Sequence, residues 1–202
     1  MVQLRRIAAR STLLASVLVV LSAPASATDG AIWAELGKVG TLQAQFDQTQ
    51  HRKILKVPLK SAGAVRFTRP NSLLWTVTAP SPSLFALDNG VARMEYPDLG
   101  IKESIDLSQV PEANQIATSM MVWLKADAAA VERDFTVAYR TNAATLTPRD
   151  KKLAGILAEI RLGFVASPWR VGSVVLMEPD GDEIDITFHD VVLDGVAVPN
   201  LP

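Results

Sequence analysis

The residues best able to do chemistry are few and poorly arranged for it. His51 and His189 stand far apart, each without a second ligand at metal-binding spacing, and each reads as an exposed strand position. Asp180, Asp182, Glu183 and Asp185 form an acidic run that could suggest a calcium loop. Such a loop needs oxygen ligands at alternate positions around one glycine and a distant glutamate. Asp180-Gly181 followed by Ile184-Asp185-Ile186 reads instead as a hairpin turn entering a strand. The chain has no cysteine, which excludes disulfides, thiolate metal sites, Fe–S clusters, thiol nucleophiles and a lipidated cysteine. There is no glycine-rich phosphate loop and no Gly-x-Ser-x-Gly elbow. Serines and aspartates abound, yet nothing marks a triad. The sequence does not look like an enzyme, and it points to no metal and no cofactor.

The amino-terminal segment is of a different kind. Arg5, Arg6 and Arg10 precede the apolar stretch Thr12 to Leu21, then Pro24 and Ala25-Ser26-Ala27. Basic region, apolar region and small-residue site are the marks of an export signal, so residues 1–27 are expected to be cleaved after Ala27. An uncleaved anchor is the other reading of that segment. Of 202 residues, 175 then remain, enough for one domain with a sizeable core. Losing the three leader arginines takes the net charge from −1 to −4. A mildly acidic chain without a Lys/Arg block is a poor candidate for nucleic acid or for an anionic membrane surface.

No repeat, low-complexity tract or linker interrupts residues 28–202, so a single domain is expected. Ile32, Trp33, Leu36 and Val39 recur at helical spacing, predicting a first helix from Asp29 to about Gln43. Period-two alternation then takes over at Ala62–Phe67, Leu73–Thr78, Phe135–Tyr139, Ile160–Phe164, Val171–Met177 and Ile184–His189. Pro80-Ser81-Pro82, Asp88-Asn89-Gly90 and Asp180-Gly181 are turn signals between such runs. The pattern is a mainly β, antiparallel meander, forming a barrel or a strongly curved sheet. One helix breaks it: Pro111 at its start, Lys125 in its last turn, and a stripe of Ile116, Met120, Trp123 and Leu124 with Met121 beside it. A short second helix is expected over Ala126–Val131. The stripe is either ordinary core or the underside of a lid.

The stretch from Phe46 to Pro80 carries a resemblance. It reads Phe46-x-Gln48, then Gly63 to Thr68, then Arg69-Pro70-Asn71-Ser72-Leu73-Leu74-Trp75 and finally Pro80. A helix, a Phe-x-Gln strand start, and an Arg-Pro-Asn strand entry with Trp five residues after the Pro resemble the LolA family of outer-membrane lipoprotein carriers. The likeness continues through Asp88-Asn89-Gly90, the mid-chain helix and Leu146-Thr147-Pro148, and only the Arg-Pro-Asn stretch is sharp. It implies an incomplete antiparallel β-barrel (α+β overall) with a helical lid over an apolar cavity. It also implies that Arg69 latches the lid to its backbone, that Leu73 is an exposed apolar position for docking on membrane partners, and that Leu36 faces the cavity. The expected cavity lies between Leu73–Val77, Phe135–Tyr139, Ile160–Phe164 and the mid-chain helix. Its walls would be Leu36, Phe67, Trp75 and Val77, with Ile116, Met120 and Trp123 from the helix. Phe135, Val137, Tyr139, Ile160 and Leu162 would close the far side.

By the same resemblance the protein is a periplasmic, monomeric carrier. Its cargo would be a lipoprotein or an acylated lipid, its donor an inner-membrane exporter, and its destination an outer-membrane acceptor. His51, Arg52, Lys53 and Lys56 after Gln48 depart from the family pattern, as does an end at Pro202 without a longer tail. Aromatic residues make up 6%, low for cavities often lined by them, so a glycolipid or acylated pigment is an alternative cargo. Two other functions share the fold: a lipid-sensing regulatory or scaffold domain, and a small enzyme with polar groups converging in the cavity.

Overall fold

The computed structural model describes residues 28–199. The expected signal segment and its cleavage after Ala27 lie outside the described residues. So do the side chains of residues 28–30, 111–113, 115, 116, 119 and 120, which include the expected cavity residues Ile116 and Met120.

Helix α1 (Thr28–Leu36) is followed by the long strands β1 (Thr41–His51) and β2 (Leu59–Thr68). Then come β3 (Ser72–Ala79), β4 (Ser83–Asp88), β5 (Val91–Tyr96) and β6 (Ile101–Asp106). Helices α2 (Pro111–Lys125) and α3 (Ala128–Asp134) cross to β7 (Phe135–Arg140) and β8 (Ala143–Pro148). After the short α4 (Lys151–Ala154), β9 (Glu159–Val165), β10 (Arg170–Met177), β11 (Glu183–Leu193) and β12 (Val196–Ala197) complete the chain.

All twelve strands join one antiparallel sheet in the order β6-β5-β4-β3-β2-β1-β11-β10-β9-β8-β7, with β12 on β11. Among the described residues no ladder joins β6 to β7, so the sheet is open, an incomplete barrel. The expected first helix is shorter than its apolar spacing suggests. It ends at Leu36, and residues 41–43 belong to β1. Gly37 and Gly40 weaken a helix by about 1 kcal/mol each relative to Ala, and β1 gains two partners by pairing with β2 and β11. The second helix is displaced toward α3's bounds because Asp127 caps it, its side chain accepting from Ala130 N at 3.1 Å.

Alternation decides which side chains face the concave side. On β1, Ala44 and Phe46 are buried while Gln43, Gln45 and Asp47 are exposed. The register continues this face through Gly63, Val65 and Phe67 on β2 and Leu73, Trp75 and Val77 on β3. Gly63 is there because nothing larger fits: a Cβ would overlap the Thr76 carbonyl and come within 2.6 Å of Phe46 Cζ. That closeness lets Phe46 stack on Trp75 at 4.3 Å, with Phe188 edge-on to Trp75 at 6.2 Å. The β4–β5 turn is the two-residue hairpin expected of Asn-Gly, with Asn89 at φ 47° and Gly90 at φ 79°.

The two halves of the concave face are filled differently. Over β7–β9, α1 inserts Trp33, 1% exposed, whose Nε1 donates to the Tyr139 hydroxyl at 2.8 Å and whose ring meets Phe164 edge-on at 5.8 Å. Phe135, Leu146, Ile160 and Leu162 are fully or almost fully buried in the same core. Over the other half lies α2. Its main close backbone neighbours are the preceding 3-10 turn (Leu107–Gln109) and α3. A helix standing off a curved sheet leaves space beneath it.

Candidate functional site: a covered apolar cavity

That space is a cavity of about 340 Å³. Leu73 and Trp75 of β3 and Phe85 and Leu87 of β4 make one wall. Val174 and Leu176 of β10 with Ile184 and Ile186 of β11 make the opposite one. Ala117, Met121, Trp123 and Leu124 of α2 form the roof, and Gln48 is the one polar side chain on the lining among the described residues. A second gap of about 40 Å³ lies on the other side of Trp123 and Leu124, bounded by Leu36, Val39, Phe67 and Arg170.

The cavity is thus placed differently from expectation. Trp75 and Trp123 line it, and Leu36 and Phe67 line the smaller gap. Phe135, Val137, Tyr139, Ile160 and Leu162 do not border it, because α1 packs Trp33 into their half of the sheet and leaves no room there. Val77 lies beyond it, in an open groove at the sheet's rim. Leu73 is not exposed: at 9% it is buried and forms cavity wall, since it shares the inward register of Phe67 and Leu87. Its neighbour Leu74 takes the outward position. Phe85, Leu87, Ala117 and the inward residues of β10 and β11 were absent from the expected lining. Their alternation is visible in sequence, but which face is concave is not.

Arg69 sits where two helices end. Its Nε donates to the Val39 carbonyl at 2.6 Å, Nη2 to the Leu36 carbonyl at 3.2 Å and Nη1 to the Lys125 carbonyl at 2.7 Å. The final carbonyls of a helix lack intrahelical partners and carry the negative end of its dipole. A planar cation with five fixed donors satisfies carbonyls of α1, its following turn and α2 together. The sequence places Arg69 there by ending β2 at Thr68, while the Arg69 amide donates to the Gly40 carbonyl at 2.9 Å. Arg170 works in a similar way at the wall of the smaller gap, donating to the carbonyls of Pro168 at 3.3 Å and Pro199 at 2.6 Å. Burial holds its guanidinium below the usual value.

Titratable groups cluster elsewhere. The acidic run forms the β10–β11 turn, with Gly181 at φ 86°. Glu178, Asp180 and Asp182 converge there, but Arg52 Nη1 donates to Glu178 at 2.6 Å and Asp182 at 3.2 Å. Lys53 donates from its amide to Asp182 at 2.8 Å and from its ammonium to the Asp180 carbonyl. The Lys53 amide and the Arg52 guanidinium hold the Asp182 carboxyl below the usual carboxylate range, against the opposing effect of burial. His51 Nε2 lies 3.2 Å from Asp185 beside Glu183, at the solvent surface. His189 pairs with Asp190 at 3.0 Å and Asp47 at 3.6 Å. None of these groups borders the cavity.

An open antiparallel sheet, a covered apolar cavity and an arginine bridging two helix ends define a class of protein shaped to enclose a nonpolar group. Residues 37–197 match the family model described as outer membrane lipoprotein carrier protein LolA, and the chain belongs to that family. It is 25% identical over 158 residues to the outer-membrane lipoprotein carrier protein of Shewanella halifaxensis (strain HAW-EB4), covering 76% of this chain and 70% of that protein. Among solved structures, a LolA superfamily protein from Nitrosomonas europaea overlays with TM-score 0.40 at 10% identity, covering 85% of this chain and 94% of the other. An uncharacterized conserved protein from Thermus thermophilus overlays with TM-score 0.49 at 12% identity, covering 88% and 90%. The family is one of carriers rather than enzymes. Among the described residues no helix is long and apolar enough to cross a membrane.

Proposed function

We propose that this protein is a soluble periplasmic carrier, exported by its cleaved leader. It takes an acylated cargo, a lipoprotein or related lipid, from an inner-membrane exporter and delivers it to an outer-membrane acceptor as a monomer without a cofactor. The cavity carries this reading. Each methylene kept from water contributes about 0.8 kcal/mol, so a long acyl chain left exposed costs on the order of 10 kcal/mol. A cavity of about 340 Å³, at the low end of the roughly 300–1,000 Å³ usual for ligand pockets, suits one such chain. Its lining lacks acids, bases and nucleophiles among the described residues, which favours holding over converting a ligand. Arg69 serves as latch: its bonds favour the covered state, and cargo entry must displace α2.

The test is saturable binding of a fluorescent fatty-acyl probe at about one per chain, displaced by an acylated lipopeptide. Emission from Trp75 and Trp123, which face the cavity, should shift to the blue as the probe enters. A protein that binds no amphiphile is not a carrier of this kind.

A further inference from the structure

The connection between β1 and β2 breaks the usual pattern of a surface loop. Residues 51–60 contain Arg52, Lys53, Lys56 and Lys60 and no acid, in a chain whose overall charge is negative. Interleaved with the cations are Ile54, 90% exposed, Val57, 72%, Leu59, 52%, and Leu55, 43%. Single exposed apolar residues are ordinary on protein surfaces, but four within six positions are not. Water is a poor solvent for that segment, and nothing among the described residues covers it.

Its base is fixed and its tip is free. Arg52 and the Lys53 amide tie it to Glu178 and Asp182 of the β10–β11 turn, so the hairpin is held in one direction. Beyond that clamp, Lys56 and Lys60 form no ion pair among the described residues. The hairpin also stands at the same end of the sheet as an open groove that runs past Leu59, Val77, Tyr96 and Leu99. Gln48 borders both that groove and the cavity, so the two lie side by side across its side chain.

We propose that residues 53–60 form an interfacial docking element for an anionic phospholipid bilayer. Ile54 and Val57 enter the headgroup boundary, and Lys56 and Lys60 meet lipid phosphates. Apolar side chains with flanking lysines suit that boundary because the aliphatic part leaves water while each ammonium remains among charged headgroups. The chain's negative net charge, which tells against such a surface, is an average; the contact is made by a local group of cations within a Debye length of the membrane. Docked this way, the outer groove beside Gln48 faces the membrane surface. This goes beyond the carrier reading and is measured apart from it.

The experiment is co-sedimentation of the purified cargo-free protein with vesicles of phosphatidylcholine alone or with phosphatidylglycerol added. Binding is expected only to the anionic vesicles and should weaken as salt is raised. Lys56→Gln should weaken it about fivefold, the worth of one lysine at such a surface. Ile54→Ser/Val57→Ser should remove most of it, and Ile54→Trp should show a blue shift on anionic vesicles. These side chains are exposed and outside the cavity, so acyl-probe binding measured on the same preparations should be unchanged. Vesicle binding that is absent in the wild type, equal on neutral lipid or unaltered by the substitutions would overturn the proposal and leave the carrier reading intact. So would a photo-crosslinker at position 54 that labels a membrane protein and no lipid, which would make the hairpin a protein-docking surface.

Discussion

The guanidinium of Arg69 donates to the carbonyl oxygen of Lys125 at 2.7 Å, joining the strand entry after β2 to the last residue of the helix that roofs the cavity. Lys125 ends α2, and Ala126 turns into the left-handed region at φ 48°, so this carbonyl has no continuing helix turn to bond. Opening the roof by moving α2 therefore breaks a charge-assisted bond, whereas breathing of the sheet alone does not.

Arg69→Leu should favour the open state and slow discharge of cargo. Hydrogen bonds to a charged donor contribute about 1.5–3 kcal/mol, which corresponds to a shift of roughly ten- to a hundredfold in the covered-to-open ratio. Arg69→Lys should recover part of the effect, since one ammonium cannot reproduce the planar fork. Transfer of bound acyl probe to acceptor vesicles measures this. Equal release by Arg69→Leu and wild type would reduce Arg69 to a structural cap.

Leu176→Trp should fill the cavity from its β10 wall and lower acyl-probe affinity at least tenfold. The added volume enters existing space, so the stability cost should stay below the roughly 1–3 kcal/mol typical of overpacking. Denaturant unfolding read beside probe binding separates the two. Unchanged affinity would mean that the chain occupies some other part of the molecule.

Gly63→Ala should be among the most damaging single-methyl changes in the protein. Its Cβ would overlap the Thr76 carbonyl and crowd Phe46, so either the β2–β3 ladder or the Phe46–Trp75 stack must yield. A loss of about 2 kcal/mol or more is expected, with altered Trp75 emission, where an unobstructed strand Gly→Ala exchange would gain about 0.5–1 kcal/mol. Native-like stability in this variant would show that the sheet is softer than its register implies.

Trp33→Ala should unfold the domain rather than open it, with a cost of about 3–5 kcal/mol for a fully buried aromatic. Trp33→Phe should cost about 0.5–1.5 kcal/mol for the lost hydrogen bond from the indole to the Tyr139 hydroxyl. Near-wild-type stability of Trp33→Ala would make α1 part of a movable cover instead of core.

Acidification should loosen the base of the β1–β2 hairpin through Asp182. Its folded pKa is depressed, chiefly by the Lys53 amide and the Arg52 guanidinium. The stabilisation is therefore complete above the ordinary carboxylate value near about 4 and is lost as pH falls through the lower folded value. Asp182→Asn should lower the thermal midpoint at neutral pH and flatten the acid limb below about pH 4. Matching acid limbs in wild type and variant would remove Asp182 as the cause.

Alternation and turn chemistry in the sequence were enough to name the strand-rich class, because a period of two and an Asn-Gly hairpin are local properties. Leu73, Trp75 and Val77 announce one face of a strand, and Pro111 and Lys125 announce a helix, without reference to anything distant. Arg69 was singled out by the family resemblance that the Arg-Pro-Asn stretch carries. Local patterns do not say which of two faces is concave, or which helix covers which half of a sheet. Those choices depend on how Trp33 packs into the β7–β9 half, on register across β1, and on α2 covering the other half. Hence Phe135, Ile160 and Leu162 became solid core, Phe85, Val174 and Ile184 became cavity wall, and Leu73 turned inward. Exposure of Ile54 and Val57 is of the same kind: a residue's hydrophobicity is written in its type, but whether anything covers it is settled only when the chain has folded around it.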